Sequence, residues 1–121
     1  MTGRDDGACA QSTSESTKRI LELNDQHRAG RAPGRVALTQ GVLSLPRGEL
    51  VQLMQRIQTF TDFTPDNDPH GEHDFGTIDH AGQRIFWKID YYDRTLKFGS
   101  PDPADPDVTT RVMTVMLASE Y

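Results

Sequence analysis

The chain has 121 residues and a formal net charge of −5, from 13 Lys and Arg against 18 Asp and Glu. A chain of this length is sized for one domain with one core, and its single Cys9 excludes an internal disulfide. No apolar run reaches the roughly 18 residues of a membrane helix, so we expect a soluble, cytoplasmic protein. The acidic balance disfavours binding to nucleic-acid phosphates.

The first 13 residues predict a disordered tail, because they contain no large apolar side chain after Met1 to offset the entropy of ordering. A Ser/Thr cluster over residues 12–17 supplies N-cap candidates for a first helix, which ends near Gly30. The apolar positions of this helix are Ile20, Leu21 and Leu23. We place a single domain over residues 14–121.

Two further elements are predicted before the acidic middle of the chain. Val36–Thr39 is apolar and partly β-branched, which favours a short strand. The segment from Ser44 to Phe60 predicts a helix, since Pro46 suits its first turn and apolar residues recur at spacings of three and four. This apolar stripe consists of Leu50, Leu53, Met54 and Ile57.

Between residues 74 and 100 the pattern changes to alternation, which predicts a three-stranded antiparallel meander. Its strands are Phe75–Asp79, Arg84–Tyr92 and Thr95–Phe98, and His80–Gln83 forms the first hairpin loop. Alternate residues of the middle strand predict the face that packs in the core. These residues are Ile85, Trp87 and Ile89.

The C-terminal segment predicts a last helix. Asp105 suits the N-cap and Pro106 suits the first helical position, and the apolar positions that follow are Val108, Val112, Val115 and Met116. Packing this helix and the preceding one on the meander gives an α+β domain. We expect a small antiparallel sheet of three to four strands packed against two or three helices.

The acidic residues are concentrated in the predicted sheet and its loops. Between Asp62 and Asp107 there are eleven acids and four bases, a balance of −7, whereas the rest has seven acids and nine bases, or +2. One interpretation is a solvated surface that maintains solubility; the other is an acidic surface that binds a partner protein with a basic surface. The candidate partner-binding residues are Asp66, Asp68, Glu72, Asp74, Asp79, Asp90 and Asp93.

Imidazole and carboxylate side chains are crowded between Asp66 and Asp74, which suggests a metal site as an alternative. Two features disfavour it. A calcium loop that starts at Asp66 would need Glu at position twelve, where the chain has Thr77, and both histidines lie in a Pro/Gly-rich loop rather than on an HExxH helix. Turns that Asp and Asn make with their own backbone explain the same residues, so we predict no cofactor. The candidate ligands are His70, His73 and Asp74, with Asp66 or Asp68 as a fourth.

No catalytic residue is predicted. No Ser or Cys lies in a recognisable nucleophile elbow, and Cys9 falls in the predicted tail. Lys88 and Asp90 are two residues apart on one strand and are expected to form a surface ion pair rather than an acid/base couple. The pattern therefore favours a non-enzymatic protein, although pairing of the first two strands would bring together His73, Asp74, Asp90 and Tyr92.

Four sequence blocks carry a resemblance to a known family. They are DNDPHGEHDFG (66–76), FWKIDYYD (86–93), GSPDPADP (99–106) and TRVMTVMLASEY (110–121). With these blocks, and over Thr17–Tyr121 as a whole, the chain resembles an uncharacterised family of small alphaproteobacterial proteins that are often plasmid-encoded. The resemblance implies a mobile-element context but no activity, because the family has no established catalytic residues.

Three functional hypotheses follow. The first is a non-enzymatic accessory protein that binds a partner protein through the acidic surface, with an inhibitor of host defence or of nucleic-acid-binding machinery as one version. The second is a small metal-dependent hydrolase that uses the His/Asp cluster at 66–74. The third, direct DNA binding by the N-terminal half, is the least favoured because few basic residues support it. These are Arg28, Arg31, Arg35, Arg47 and Arg56.

Overall fold

The computed structural model describes residues 2–121, with side chains from residue 15 onward. Its elements in chain order are α1 (Thr2–Arg28), β1 (Arg35–Leu38), α2 (Gln40–Leu43), α3 (Arg47–Gln58), β2 (Phe75–His80), β3 (Gln83–Tyr92), β4 (Thr110–Leu117) and a final 3-10 turn (Ala118–Glu120). The helices together with a four-stranded sheet confirm the α+β prediction. The predicted disordered tail, 1–13, lies outside the part whose side chains are described and stays a prediction.

The sheet has the strand order β1-β4-β3-β2. β3 is antiparallel to both β2 and β4, as expected for a meander, whereas β1 adds a parallel edge beside β4. The hairpin loop is confirmed: His80 pairs with Gln83, and the two residues between them, Ala81 and Gly82, have φ of 53° and 75°. Two successive left-handed residues are the geometry that matches the twist of a tight hairpin.

The predicted third strand of the meander, Thr95–Phe98, is wrong. The segment is a turn in which one carboxylate oxygen, Asp93 Oδ1, accepts hydrogen bonds from the backbone N–H groups of Thr95 and Lys97, each at 3.1 Å. Leu96 in this turn has a φ of 62°, which a strand does not allow. β4 therefore takes the place beside β3 that the third strand was expected to fill.

The predicted last helix is also wrong, because residues 110–117 form the strand β4. This strand lies between β1 and β3; Met113 and Val115 are buried on one of its faces, and Met116 is buried on the other, where Val112 and Thr114 are half-buried. Apolar residues therefore occupy both faces of the strand, and periodicity does not separate such a short apolar run from a buried helix. The expected cap, Asp105, instead closes a turn through its backbone and side chain.

One face of the sheet carries the hydrophobic core. Ile85, Trp87 and Ile89 are 0%, 0% and 3% exposed, which confirms the predicted core face. The helix α3, close to its predicted bounds, packs Leu53 and Ile57 on this face. Trp87 also occupies the space above Gly76, where a Cβ would lie 2.3 Å from the indole Nε1. We call this side of the sheet the core face.

The opposite side of the sheet carries no helical layer within the described part of the chain, and we call it the open face. Its two phenylalanine rings, Phe75 and Phe86, have centroids 5.3 Å apart. The Tyr121 ring lies 5.5 Å from Phe86, although 76% of this residue is exposed. The side chains of the open face on β2, β3 and β4 are Phe75, Thr77, Asp79, Arg84, Phe86, Lys88, Asp90, Tyr92, Thr110, Val112, Thr114 and Met116.

Candidate functional site

The loop between α3 and β2 contains most of the predicted site residues, and its own side chains fix its shape. Asp68 is 8% exposed, and its two carboxylate oxygens lie 3.2 and 3.3 Å from the backbone N of His73. Asn67 Oδ1 accepts a hydrogen bond from the backbone N of Thr64 at 2.8 Å, and its Nδ2 donates to the Asp62 carbonyl. The backbone-turn interpretation is therefore confirmed for Asn67 and Asp68, and Asp68 is not free to meet a partner.

The two histidines of the predicted metal site lie in different surroundings. His73 stacks on the Phe63 ring at a centroid distance of 3.8 Å, and its Nδ1 is 2.9 Å from Asp25 Oδ1 on α1. His70 is exposed and lines a separate groove. Among residues with described side chains, no three His, Cys, Asp or Glu converge as a metal would require, so His70, His73 and Asp74 are not brought together as a ligand set.

Glu72 belongs to a network of hydrogen bonds beneath α1. The Tyr91 hydroxyl donates to Glu72 Oε1 at 2.8 Å and accepts from Asn24 Nδ2 at 2.8 Å, while Asn24 Oδ1 accepts from Arg111 Nε at 2.7 Å. Burial is the main cause that raises the pKa of Tyr91, so its hydroxyl stays protonated and donates to Glu72. Glu72 is therefore a structural acceptor rather than a free surface charge.

Asp74 and Asp90 line one groove, with a volume of about 390 Å³, between the loop and the open face. His70 and Tyr121 line the same groove. Burial raises the pKa of Asp74, and the negative charge of Glu72 raises it further. The carboxylate of Asp90 is 3.0 Å from the Lys88 ammonium, which confirms the predicted surface ion pair.

The other predicted acids divide between two places. Asp79 pairs with Arg84 beside the hairpin loop. Asp74 lies further along β3, because its carbonyl accepts a hydrogen bond from the N–H of Ile89, five residues after Arg84. Five residues of strand span roughly 16 Å, so Asp79 lies away from the groove. Asp93 is bound by its own turn, as described above. Of the seven predicted acids, only Asp74 and Asp90 line the groove, and Asp66 is exposed one residue before Asn67, which also lines it.

The five arginines of the predicted DNA site do not act as one group. Arg28 is 5% exposed, with its guanidinium 5.1 Å from the Trp87 ring and its Nη2 donating to the Phe60 carbonyl. Arg56 Nη1 donates to the Asp79 carbonyl and lies 3.0 Å from His80 Nδ1. The exposed members of the set are Arg31, Arg35, Arg47 and Arg56.

Sequence reasoning missed the polar residues that contact one another across the domain. Asn24 follows Ile20 by four residues on the buried stripe of α1, and a polar residue at such a position is the one signal that marks it. Asp25 binds His73 although 48 residues separate them. Arg111 contacts Asn24 across 87 residues, and no local pattern indicates that pairing.

Comparison with known proteins assigns a family and no activity. No curated protein and no solved structure matches the chain. Residues 38–120 match a family described as "Protein of unknown function (DUF3768)", and this match covers more than half of the chain. The chain therefore belongs to the DUF3768 family of proteins of unknown function.

Proposed function

We propose that this protein is a non-enzymatic accessory protein that binds a partner protein with a basic surface. The observation that carries the proposal is the open face, where the exposed Tyr121 lies against Phe75 and Phe86 beside a groove lined by Asp74 and Asp90. Aromatic side chains with a polar rim are typical of protein interfaces. The partner would place an apolar side chain on the rings and Lys or Arg against the groove.

The charges support a basic partner. Asp66 is exposed, and Asp74 lacks a cationic side chain within 4.0 Å among the described residues. Lys88 neutralises Asp90 in the free protein, so Asp90 contributes little to the field until a partner cation competes for it. The attraction of such a surface for a basic partner accelerates association and weakens with salt.

The environment of the candidate acid/base groups supports binding rather than catalysis. The raised pKa of Tyr91 makes it a donor, and the side-chain partners of His73 in the described part are two carboxylates, Asp25 and Asp68, and one aromatic ring. We further propose a cytoplasmic, plasmid-encoded protein of alphaproteobacterial mobile elements. In that context the partner would belong to host-defence or nucleic-acid-binding machinery, whose basic channels the acidic surface would occupy.

The test uses a photocrosslinking residue on the open face and a matched one elsewhere. p-Benzoylphenylalanine replaces Tyr121 in one protein and Val51, an α3 residue that is 51% exposed, in the other. Both proteins are irradiated in an alphaproteobacterial lysate. We expect a discrete crosslinked band from position 121 and none from position 51. Equal bands, or no band from position 121, would refute docking on the open face.

Charge is tested separately in the crosslinking protein. Asp66→Asn with Asp74→Asn should abolish the band, whereas Glu15→Gln with Glu22→Gln makes the same change in net charge on α1 and should preserve it. Raising the salt to about 0.5 M should weaken the band, since the Debye length is then only a few ångströms. The hydrolase alternative is checked by elemental analysis of the untagged protein, where one equivalent of metal would favour it.

A further inference from the structure

A second cavity, of about 500 Å³, lies where β1 and β4 begin. Three arginines from separate parts of the chain line it: Arg35 at the start of β1, Arg94 in the turn after β3, and Arg111 in β4. Asp107 is the single acid among the lining residues, so the formal charge of the lining is 3 − 1 = +2 in a protein whose net charge is −5. No lining residue is shared with the groove of the open face.

Arg111 is the residue that points to a ligand. It is 5% exposed, yet within the described side chains no carboxylate lies within 4.0 Å of its guanidinium. Its Nε and Nη2 donate to neutral oxygens, the side-chain amide of Asn24 and the carbonyl of Pro103. Its guanidinium also lies 5.2 Å from the Tyr91 ring, and the Glu72 carboxylate attracts it from beyond contact distance. Buried charges in folded proteins are normally paired, because desolvation of an unpaired ion is costly.

The rest of the lining suits an anion with an apolar or neutral body. The half-buried Thr110 provides a hydroxyl among the arginines, and Leu23, Pro33 and Pro106 provide apolar wall. A volume of about 500 Å³ is in the range of small-molecule sites, and it exceeds what a bare oxyanion needs. Arginine recognises phosphate through paired N–H donors in a planar fork, which lysine does not offer.

We propose that this cavity binds a small molecule that carries a phosphate monoester, with the phosphate held between Arg35, Arg94 and Arg111. A phosphate monoester carries −1.5 to −2 charges at pH 7, which matches the lining charge of +2, whereas a single carboxylate leaves half of it uncompensated. The neutral body of the ligand then contacts Leu23 and the two prolines. This site is independent of the proposed docking surface, so either proposal can fail alone.

The experiment is isothermal titration of the full-length protein with glucose 6-phosphate, at constant ionic strength. We expect binding by glucose 6-phosphate, weaker binding by inorganic phosphate and by the dianion succinate, and none by glucose or acetate. Affinity should rise between pH 5 and 7.5 as the phosphate loses its second proton. The exposed arginines are changed one at a time: Arg35→Gln and Arg94→Gln should each weaken binding about tenfold or more, since each removes a charge-assisted hydrogen bond.

The matched control is Arg47→Gln, which removes an exposed arginine from the start of α3 and should leave the affinity unchanged. No heat of binding from glucose 6-phosphate, or the same affinity in all three variants, would overturn the proposal. Tight binding of a single-stranded oligonucleotide without binding of glucose 6-phosphate would also overturn it. Arg111→Lys keeps the charge but loses the Nε–H and Nη2–H donors that hold the guanidinium on Asn24 and Pro103, and a folded variant that binds as tightly as the original would contradict the role of Arg111.

Discussion

The two faces of the sheet differ although the same strands form both. Along β3, Trp87 is fully buried under Phe60, Phe63 and α3, while its neighbour Phe86 is half-buried against an exposed tyrosine. The core face provides the stability of the fold, since removal of apolar area from water is the dominant favourable contribution. The open face retains aromatic and charged side chains that are partly exposed, which is why we propose that it serves recognition.

Polar side chains are buried and hydrogen-bonded on the core face but partly exposed on the open face. On the core face, Asn24, Tyr91, Glu72 and Arg111 bond to one another beneath α1, where an unpartnered polar atom would be costly. On the open face, Lys88 and Asp90 form a pair whose side chains are 36% and 38% exposed. Mutations on the two faces should therefore differ in which property they change, and this difference can be measured.

The largest expected effect is on the core face. Trp87→Ala should lower the free energy of unfolding by about 3–5 kcal/mol, because it leaves a cavity under α3 and beside Gly76. Phe86→Ala, one residue away on the open face, should cost clearly less because its ring is only half-buried. Urea unfolding followed by far-UV circular dichroism measures both. Equal losses of stability would show that the open face also serves as core.

The second effect concerns the polar network. Asn24→Ala removes the acceptor of the Arg111 Nε–H and one donor to the Tyr91 hydroxyl. It should lower the free energy of unfolding by about 2–3 kcal/mol. Gln26→Ala, at an exposed position of the same helix, should change it by less than about 0.5 kcal/mol. The two variants are compared in the same urea titration. If the Asn24 variant is as stable as the Gln26 variant, the network does not support the fold.

Local signals predicted the elements that depend on local physics. The α3 helix follows from apolar spacing on one face, and the hairpin follows from Gly82 at a left-handed turn position between alternating strands. The strand β4 was misjudged because Val112, Val115 and Met116 also fit a helical stripe. The strand is central in the sheet, a property of the assembled fold that no window of the sequence contains.

The candidate site was harder to predict than the fold for the same reason. Crowding of carboxylates between residues 66 and 74 indicated an acidic loop, but burial decides that Asp68 and Glu72 are structural and that Asp74 faces a groove. The second cavity, of about 500 Å³, is lined by residues 35, 94 and 111, which share no sequence motif. The parallel pairing of β1 with β4 brings Arg35 beside Arg111, and the turn after β3 adds Arg94.

The third effect is a pH dependence at the end of the chain. Glu120 accepts hydrogen bonds from the Thr39 hydroxyl and from the backbone N–H groups of Leu117 and Gly41, and these hold its pKa below the usual range. The ionised carboxylate therefore stabilises the fold above the unfolded-state pKa of about 4.3, and this contribution is lost as the pH falls through the lower folded-state pKa.

Glu120→Gln should consequently be less stable than the original protein at pH 7, and the difference should shrink toward pH 3. Melting temperatures measured across that range test this, with Glu15→Gln as a control that removes an exposed glutamate from α1. A constant difference between the original protein and the Glu120 variant at all pH values would assign the effect to geometry rather than to charge.

The smallest expected effect is on the open face itself. In a double-mutant cycle of Lys88→Ala and Asp90→Ala, the coupling free energy should be below about 0.5 kcal/mol, because both partners are solvated and screened. The same variants should nevertheless alter partner capture: removal of Lys88 frees the Asp90 carboxylate and should strengthen capture, and removal of Asp90 should weaken it. A large coupling free energy with unchanged capture of the partner would mean that the pair stabilises the sheet. The distinction between a stabilising core face and an open face used for recognition would then be wrong.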